Sequence, residues 1–227
     1  MKKKEYFAAK IIRWYKKRGR SFPWRKTKNA FHILISEIML QKTDSKKALS
    51  VYPSFIKKYP TPKRLAQANS RTLRREIHLL GISDRARRLK ATAKTIERLH
   101  SGKVPSDRKQ LLNFLGVGDY IANAVLCFAF DEDVPLLDTN VIRVIKRVFS
   151  VESSKERART DKNLWQFAGS LVPQRKAIDY NRGVLDFAAT VCTARNPNCQ
   201  ICPIREICDY YLSVICFATS EAKAAGS

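Results

Sequence analysis

Four cysteines in one short run constrain the fold of this chain more than any other feature of its sequence. They stand in CTARNPNCQICPIREIC, with the spacing Cys192-x6-Cys199-x2-Cys202-x5-Cys208. Structural zinc sites usually take their ligands from two separate pairs, and a set of disulfides is typical of secreted chains. A compact run of cysteines is instead typical of the ligands of a [4Fe–4S] cluster. We therefore predict a cluster held by these four residues, with zinc and disulfides as the alternatives.

The charge of the chain limits the partners that it can bind. The sequence holds 44 lysines and arginines against 20 acidic residues, which gives a net charge of +24. An excess of this size attracts polyanions. The basic residues are spread over Lys2–Lys28 and Lys63–Lys109, which favours a folded basic face over a disordered arm. We predict a nucleic acid partner, and a membrane surface is the alternative.

Apolar residues recur at helical spacing through most of the chain, and no strand-like alternation persists. No run reaches the roughly 18 apolar residues of a membrane span. The first residues lack the apolar centre of a signal peptide, so we expect an intracellular protein. The predicted fold class is all-α. The predicted helices are Glu5–Arg18, Ala30–Gln41, Ser70–Leu79, Arg85–Leu99, Asp107–Phe114, Ile121–Phe130, Asn140–Phe149, Lys162–Leu171 and Ala177–Val191, with a short one opening near Leu65.

Two glycines form a turn between two of these helices, in LLNFLGVGDYIANAV. Glycine allows positive φ angles and the close approach of another backbone. The amides at the start of the following helix are then available to bind an anion. In a chain with this charge we expect that anion to be a DNA phosphate, held near Gly116 and Gly118. An ordinary helix-connecting turn is the alternative.

Three side chains are candidates for chemistry. Asp138 follows an apolar pair in LLDTNVIRV, at a place where an aspartate also serves as a helix N-cap. Glu37 lies in the apolar stretch ILISEIMLQ, where it is a functional acid, a satisfied core residue or a surface residue. Tyr120 directly follows the glycine turn, and core packing is its simpler explanation.

Four motifs, taken in this order, resemble the helix–hairpin–helix DNA glycosylases of the endonuclease III superfamily. They are FPWRKTKNAFHILISEIMLQKT, LLNFLGVGDYIANAV, LLDTNVIRV and the cysteine run, and the resemblance extends from about residue 5 to Tyr211. It implies two helical domains with a DNA cleft between them. The implied parts are a six-helix barrel with the hairpin at 23–133, a cluster domain made of 1–22 and 134–211, and a C-terminal tail at 212–227.

The resemblance also implies a reaction, in which a base is extruded from the duplex and its glycosidic bond is cut. Members that also nick the strand carry a lysine at the position of Tyr120, and its amine forms a Schiff base with the sugar. A phenol cannot do so, which implies a monofunctional glycosylase. Asp138 matches the family's essential aspartate, which stabilises positive charge on the sugar. Glu37 matches a glutamate that protonates the leaving base or hydrogen-bonds it.

Contacts with DNA follow from the same resemblance. Gln41 and Lys42 on one segment, and Ile82 and Ser83 on another, would wedge the duplex from the minor groove. Asn140 and the hairpin glycines would also contact DNA. Unstacking costs less at a mismatch, so selection begins at this step. The implied partner is double-stranded DNA with a mismatched or damaged base, bound by a monomer in the cytoplasm or nucleoid of a prokaryote.

Two subfamilies share these motifs and differ in the base that they remove. The segments LVPQRKAIDYNRGVLDFAATVC and LGISDRARRLK favour the glycosylases of thymine–guanine and uracil–guanine mismatches. The MutY-type adenine glycosylases, which act opposite guanine or 8-oxoguanine, are the alternative. A non-catalytic, structure-specific DNA-binding protein is a third hypothesis. Asp119 departs from the family pattern, and its charge is expected to weaken phosphate binding unless it caps the helix.

Overall fold

The computed structural model describes residues 2–81 and 84–213, and all regular structure in these residues is helical. The predicted all-α class is therefore confirmed. None of the described helices is long and apolar enough to cross a membrane. The α-helices are α1 Lys3–Arg18, α2 Ala30–Leu40, α3 Ser45–Lys58, α4 Pro62–Ala66, α5 Ser70–Glu76, α6 Arg85–His100, α7 Arg108–Leu112, α8 Asp119–Phe130, α9 Thr139–Phe149, α10 Lys162–Gly169 and α11 Ala177–Thr190.

The chain divides into two compact units. The middle unit is Ser21–Glu132, and the outer unit is formed by the chain segments on either side of it. Helices α2 to α8 belong to the middle unit, while α1 and α9 to α11 belong to the outer unit. The assignment of these parts as a barrel domain and a cluster domain stays a prediction.

Helix α2 is the centre of the middle unit. Eight of its eleven residues are buried, and they lie on every side of the helix, as expected for a helix enclosed by others. It packs against α3, α6 and α8. The side chain of Asn29 fixes its first turn, because Oδ1 accepts hydrogen bonds from the amides of Phe31 at 2.9 Å and His32 at 3.1 Å. Residues at the end of α2 are thus presented by a rigid core element.

Helix α3 is a long element that the sequence did not predict. Pro53 lies inside it and Asp44 caps its start. A proline in a helix interior costs about 3 kcal/mol, which made the segment an unlikely helix from its sequence. Its buried side chains are Ala48, Val51, Tyr52 and Phe55, which follow helical spacing. Burying a Val or Phe side chain contributes about 1.5–3 kcal/mol each, so tertiary packing outweighs the cost of the proline.

The outer unit is built on the contact between α1 and α11. Gly183 of α11 lies against Ile11 of α1, and Trp14 packs edge-on against the ring of Phe187, with centroids 5.7 Å apart. The chain segment that follows α1 is hydrogen-bonded to α11 through Asp186, which is fully buried. Its carboxylate accepts hydrogen bonds from the backbone amide of Arg20 at 2.8 Å and from its Nε at 2.7 Å. The N-terminal helix is therefore an integral part of this unit.

We expect Gly183→Ala to destabilise the outer unit. A methyl group there would stand 2.8 Å from Ile11 Cγ2 and 3.1 Å from Tyr15 Cβ, and overpacking of this kind costs roughly 1–3 kcal/mol. Gly169→Ala is the matched control, because its nearest contact would be Pro135 Cγ at 3.9 Å. Urea unfolding of both variants measures the difference. Equal unfolding free energies in the two variants would contradict the close α1–α11 packing.

Candidate active site and cluster centre

The glycine turn joins α7 to α8 in a short hairpin. Gly116 has φ +83°, and a methyl group on it would come within 2.7 Å of Arg88 Cδ. Glycine is therefore favoured at this position by the backbone conformation, and a larger residue would also displace the Arg88 side chain. Gly118 has φ −109° and precedes the first residue of α8, and a methyl group on it would meet no atom of the described chain within 4 Å. Its side-chain position thus opens on free space at the start of α8.

Asp119 is neutralised within the hairpin. It is the first residue of α8, and its carboxylate forms an ion pair with Arg108 of α7. Arg108 also donates a hydrogen bond from Nε to Asn123 Oδ1 at 3.1 Å. An acidic residue in the first turn interacts favourably with the positive end of the helix dipole. The residue that departs from the family pattern therefore has an ion-pair partner on the preceding helix of the hairpin.

Gln41, one of the predicted DNA contacts, lies beside the hairpin. Its Nε2 donates a hydrogen bond to the carbonyl oxygen of Gly116 at 2.8 Å, and its Oε1 accepts one from Arg88 Nη1 at 3.3 Å. Lys42 follows with φ +51°, a left-handed backbone conformation. The structure thus brings two predicted contact segments together. Ile82 and Ser83, predicted as the second wedge segment, lie outside the described residues.

Glu37 and Tyr120 belong to two helices that pack against each other. Glu37 is buried on α2, with 7% of its surface exposed, so it is not a surface residue. Tyr120 lies half-buried in the first turn of α8, and α2 packs against α8 in the middle unit. The catalytic roles of both residues stay predictions.

Asp138 caps helix α9. Its Oδ1 accepts hydrogen bonds from the amides of Asn140 at 2.9 Å and Val141 at 2.7 Å, and its Oδ2 accepts one from Asn140 Nδ2 at 2.9 Å. The cap that the sequence suggested as an alternative role is therefore present. The cap leaves part of the hydrogen-bonding capacity of the carboxylate free, because Oδ2 accepts only one of these three bonds. The cap holds the carboxylate in one orientation, as a catalytic group requires.

Arg143 connects this cap to the cysteine run. Its Nη1 donates to Asn140 Oδ1 at 3.0 Å, its Nε donates to the carbonyl oxygen of Cys192 at 3.0 Å, and its Nη2 donates to that of Ala188 at 2.8 Å. A continuous path of hydrogen bonds therefore runs from Asp138 to the first cysteine. Sequence reasoning missed Arg143, although its i,i+3 spacing from Asn140 places both side chains on one face of the helix.

The four cysteines line one small pocket in the outer unit. Cys192 and Cys208 are buried, whereas Cys199 and Cys202 are partly exposed. All four are free thiols, so the disulfide alternative does not hold. Arg147 of α9 completes the enclosure, with Nη1 at 3.4 Å from Cys192 Sγ and at 2.7 Å from the carbonyl oxygen of Thr193. One helix thus orders both the Asp138 cap and the cysteine loop.

The donor set consists of four cysteine thiols, one for each iron of a cubane cluster. Burial raises the pKa of the Cys202 thiol to about 12 and also raises the pKa values of Cys199 and Cys208. Formation of the thiolates is therefore coupled to the binding of a metal cation, which stabilises their negative charge.

Comparison with known families agrees with this geometry. Residues 35–169 match the model of the HhH-GPD superfamily of base excision DNA repair proteins. Residues 192–208 match the iron-sulfur binding domain of endonuclease III. The chain therefore belongs to the HhH-GPD superfamily, and the [4Fe–4S] cluster predicted from the cysteine spacing is confirmed.

Individual relatives place the chain within this superfamily. It is 42% identical to a thymine/uracil-DNA glycosylase of Pyrobaculum aerophilum, over 90% of this chain and 91% of that protein. It is 35% identical to an adenine DNA glycosylase of Mycobacterium tuberculosis, over 86% of this chain and 64% of that protein. Among solved structures, a thermostable thymine-DNA glycosylase matches with a TM-score of 0.88 and 34% identity, over 93% and 97% of the two chains. The predicted resemblance is confirmed.

We expect Arg143→Gln to weaken both the cluster and the hydrogen-bonded start of α9 at Asp138. A shorter amide cannot reach Asn140, Cys192 and Ala188 together, and loss of such outer-shell contacts typically costs about 10–100-fold in metal affinity or activity. Lys146→Gln is the control, because Lys146 lies on the same helix but is exposed and pairs with Glu152 at 2.8 Å. Loss of the cluster absorption band under oxygen measures cluster stability. Equal rates of loss in the two variants would contradict the role of Arg143.

Proposed function

We propose that this protein is a monofunctional DNA glycosylase that removes thymine or uracil mispaired with guanine in duplex DNA. The observation that carries the proposal is Tyr120 in the first turn of α8, directly after the glycine hairpin. A tyrosine there cannot form a Schiff base with the sugar, so the chemistry ends with removal of the base. The identity to thymine/uracil-DNA glycosylases over most of the chain supports this target.

The hairpin holds a phosphate of the DNA strand in this proposal. The first amides of a helix lack partners within the helix, and helix N-termini bind anions through these amides and the helix dipole. At α8 the neighbouring residue is Gly118, where a side chain would meet no described atom within 4 Å. A strand can therefore approach the backbone closely. This contact positions the DNA without reading its sequence.

Base extrusion is assigned to two segments, of which the first, at Gln41, lies beside the hairpin. Gln41 and Lys42 follow the buried helix α2, and Ile82 and Ser83 are proposed to act with them. Gln41 is proposed to fill the space that the base leaves, and Ile82 is proposed to push between the bases. Extrusion costs a few kcal/mol, and less where the base is mismatched. A thymine or uracil opposite guanine is therefore easier to extrude than a paired base.

Asp138 is the proposed catalytic carboxylate. As the glycosidic bond lengthens, positive charge develops on the sugar, and a fixed carboxylate stabilises this charge and orients the attacking water. The cap on α9 fixes Asp138 through three hydrogen bonds of 2.7–2.9 Å. Asn140 is proposed to contact the DNA as well as to orient this carboxylate. Glu37 is proposed to hydrogen-bond the departing base or a water beside it.

Adenine removal is the second candidate function. It is favoured by the 35% identity to adenine DNA glycosylases over 86% of this chain. In that reaction Glu37 protonates the leaving adenine, which its burial on α2 permits. The two candidates share Asp138, Tyr120 and the cluster, and they differ in the base that is extruded and in the role of Glu37. In both, the protein acts on double-stranded DNA as a monomer, in the cytoplasm or nucleoid of a prokaryote.

The reaction is tested with duplexes that carry thymine or uracil opposite guanine. We expect release of the free base under single-turnover conditions, with a strand that breaks only after alkali. Asp138→Asn is expected to lower the rate by at least about 100-fold, because an amide does not stabilise the positive sugar. Cluster absorption must match between the two preparations. The proposal fails if cluster-loaded protein releases neither base, and unchanged activity in Asp138→Asn would point to a contaminating enzyme.

Tyr120→Lys tests the monofunctional chemistry. An amine at this position can attack the sugar, so we expect a part of the abasic product to be nicked without alkali. Borohydride reduction should trap a covalent protein–DNA adduct in this variant and none in the wild type. Tyr120→Phe serves as the control, since it changes the side chain without adding an amine. An adduct of equal yield in the wild type would contradict the proposed role of Tyr120.

A further inference from the structure

Arg85 is a charged side chain buried at the start of helix α6. Only 1% of its surface is exposed, and no carboxylate of the described chain pairs with it. Its guanidinium donates from Nε to the carbonyl oxygen of Ile38 at 3.1 Å and from Nη1 to that of Leu80 at 2.5 Å. Its Nη2 donates to the carbonyl oxygen of Gln41 and to Thr43 Oγ1 at 2.8 Å. All the acceptors are uncharged.

Burying an unpaired charge is costly, and an apolar side chain of similar volume would pack at lower cost. The benefit of burying this charge therefore lies in the backbone segments that the guanidinium binds. Its acceptors belong to two places only, the end of α2 with the turn that follows it, and Leu80 before Gly81. Thr43 Oγ1 bridges the same two places, 3.2 Å from the carbonyl oxygen of Gln41 and 3.1 Å from that of Leu80.

The backbone between these acceptors is in a conformation that needs support. Lys42 has φ +51°, which an L-residue other than glycine adopts at a cost. Arg85 binds the residue on each side of it, through the carbonyl oxygen of Gln41 and the hydroxyl of Thr43. A lysine in place of Arg85 has all its donors on one atom and cannot span acceptors on separate segments. The planar guanidinium is thus specifically suited to this position.

We propose that Arg85 is a positioning residue that joins the turn Gln41–Thr43 and the turn at Leu80–Gly81 into one rigid wedge for base extrusion. This inference rests on the proposed function, in which the duplex is opened by Gln41 and Lys42 and by the residues that follow Gly81 in the sequence. The wedge is also connected to the hairpin, because the Gln41 side chain is held between Gly116 and Arg88. Arg85 touches neither the sugar nor the base, and it acts on the extrusion step rather than on bond cleavage.

The test compares Arg85→Lys with Arg87→Lys. Arg87 is exposed on the same helix and pairs with Asp84, which makes it a matched control. Each variant is assayed on two DNA substrates. In the first, the thymine lies opposite guanine in an otherwise fully paired duplex. In the second, the same thymine lies inside an unpaired bubble, where extrusion needs little unstacking. We expect Arg85→Lys to excise about 10-fold more slowly from the paired duplex, as for a loss of about 1.4 kcal/mol. Its rate on the bubble should stay within about 2-fold of the wild type.

A second readout does not depend on excision. The fluorescence of 2-aminopurine next to the mismatch reports unstacking, and we expect Arg85→Lys to reduce its rise while Arg87→Lys leaves it unchanged. Thr43→Val provides a second variant that removes the bridging hydroxyl and leaves the buried charge in place. It should show a smaller change in the same direction. Cluster absorption and thermal unfolding establish that each variant is folded.

Three outcomes would overturn the inference. The first is an equal loss of excision rate on the paired and bubble substrates in Arg85→Lys. The second is no loss of excision rate in that variant. The third is a 2-aminopurine signal that Arg85→Lys leaves unchanged. The proposed function fails separately, if the wild type excises no base from any substrate. In that case a fluorescence rise that Arg85→Lys abolishes would still support the positioning role. Conversely, the positioning role alone would be refuted if the wild type excises thymine and Arg85→Lys excises it at the same rate as Arg87→Lys.

Discussion

The hydrogen bonds that helix α9 makes to the cysteine run are the interaction on which the cluster centre depends. The loop from Cys192 to Cys208 has only one short 3-10 turn of its own, and its first three carbonyl groups accept hydrogen bonds from arginines of α9. Arg143 donates to the carbonyl oxygens of Cys192 and of Ala188 in α11, and Arg147 donates to those of Thr193 and Ala194. The same helix begins at the Asp138 cap. Any change that moves the loop therefore also acts on the carboxylate to which the chemistry is assigned.

The middle unit also contains an irregular backbone segment whose carbonyl groups are bound by an arginine. There the irregular backbone is the turn after α2, and the donor is Arg85. In both units arginine is suited to the task, because its planar fork carries five donors and no acceptor. It can satisfy several carbonyl groups on different segments and stay charged. In a chain with a net charge of +24, some arginines therefore act inside the protein and are not available to DNA.

The sequence predicted the features that repeat along the chain or follow local rules. These include the helices with a clear apolar period, the capping position of Asp138 and the glycine at 116. It did not predict α3, because tertiary burial of Val51 and Phe55 outweighs the local effect of Pro53. The roles of Arg85 and Arg143 were also missed. Their acceptors are carbonyl oxygens, which every residue possesses, so no sequence pattern marks the partners. Asp119 was unexplained for a related reason, since its partner Arg108 lies on the preceding helix.

The central claim is that the extruded base is a pyrimidine opposite guanine. The most direct measurement uses a panel of duplexes with thymine, uracil or adenine opposite guanine, and adenine opposite 8-oxoguanine, each with one strand labelled in turn. The account predicts alkali-labile sites only in the strand that carries thymine or uracil. Alkali-labile sites in the adenine strand, with the thymine and uracil strands intact, would contradict it and assign the protein to adenine removal.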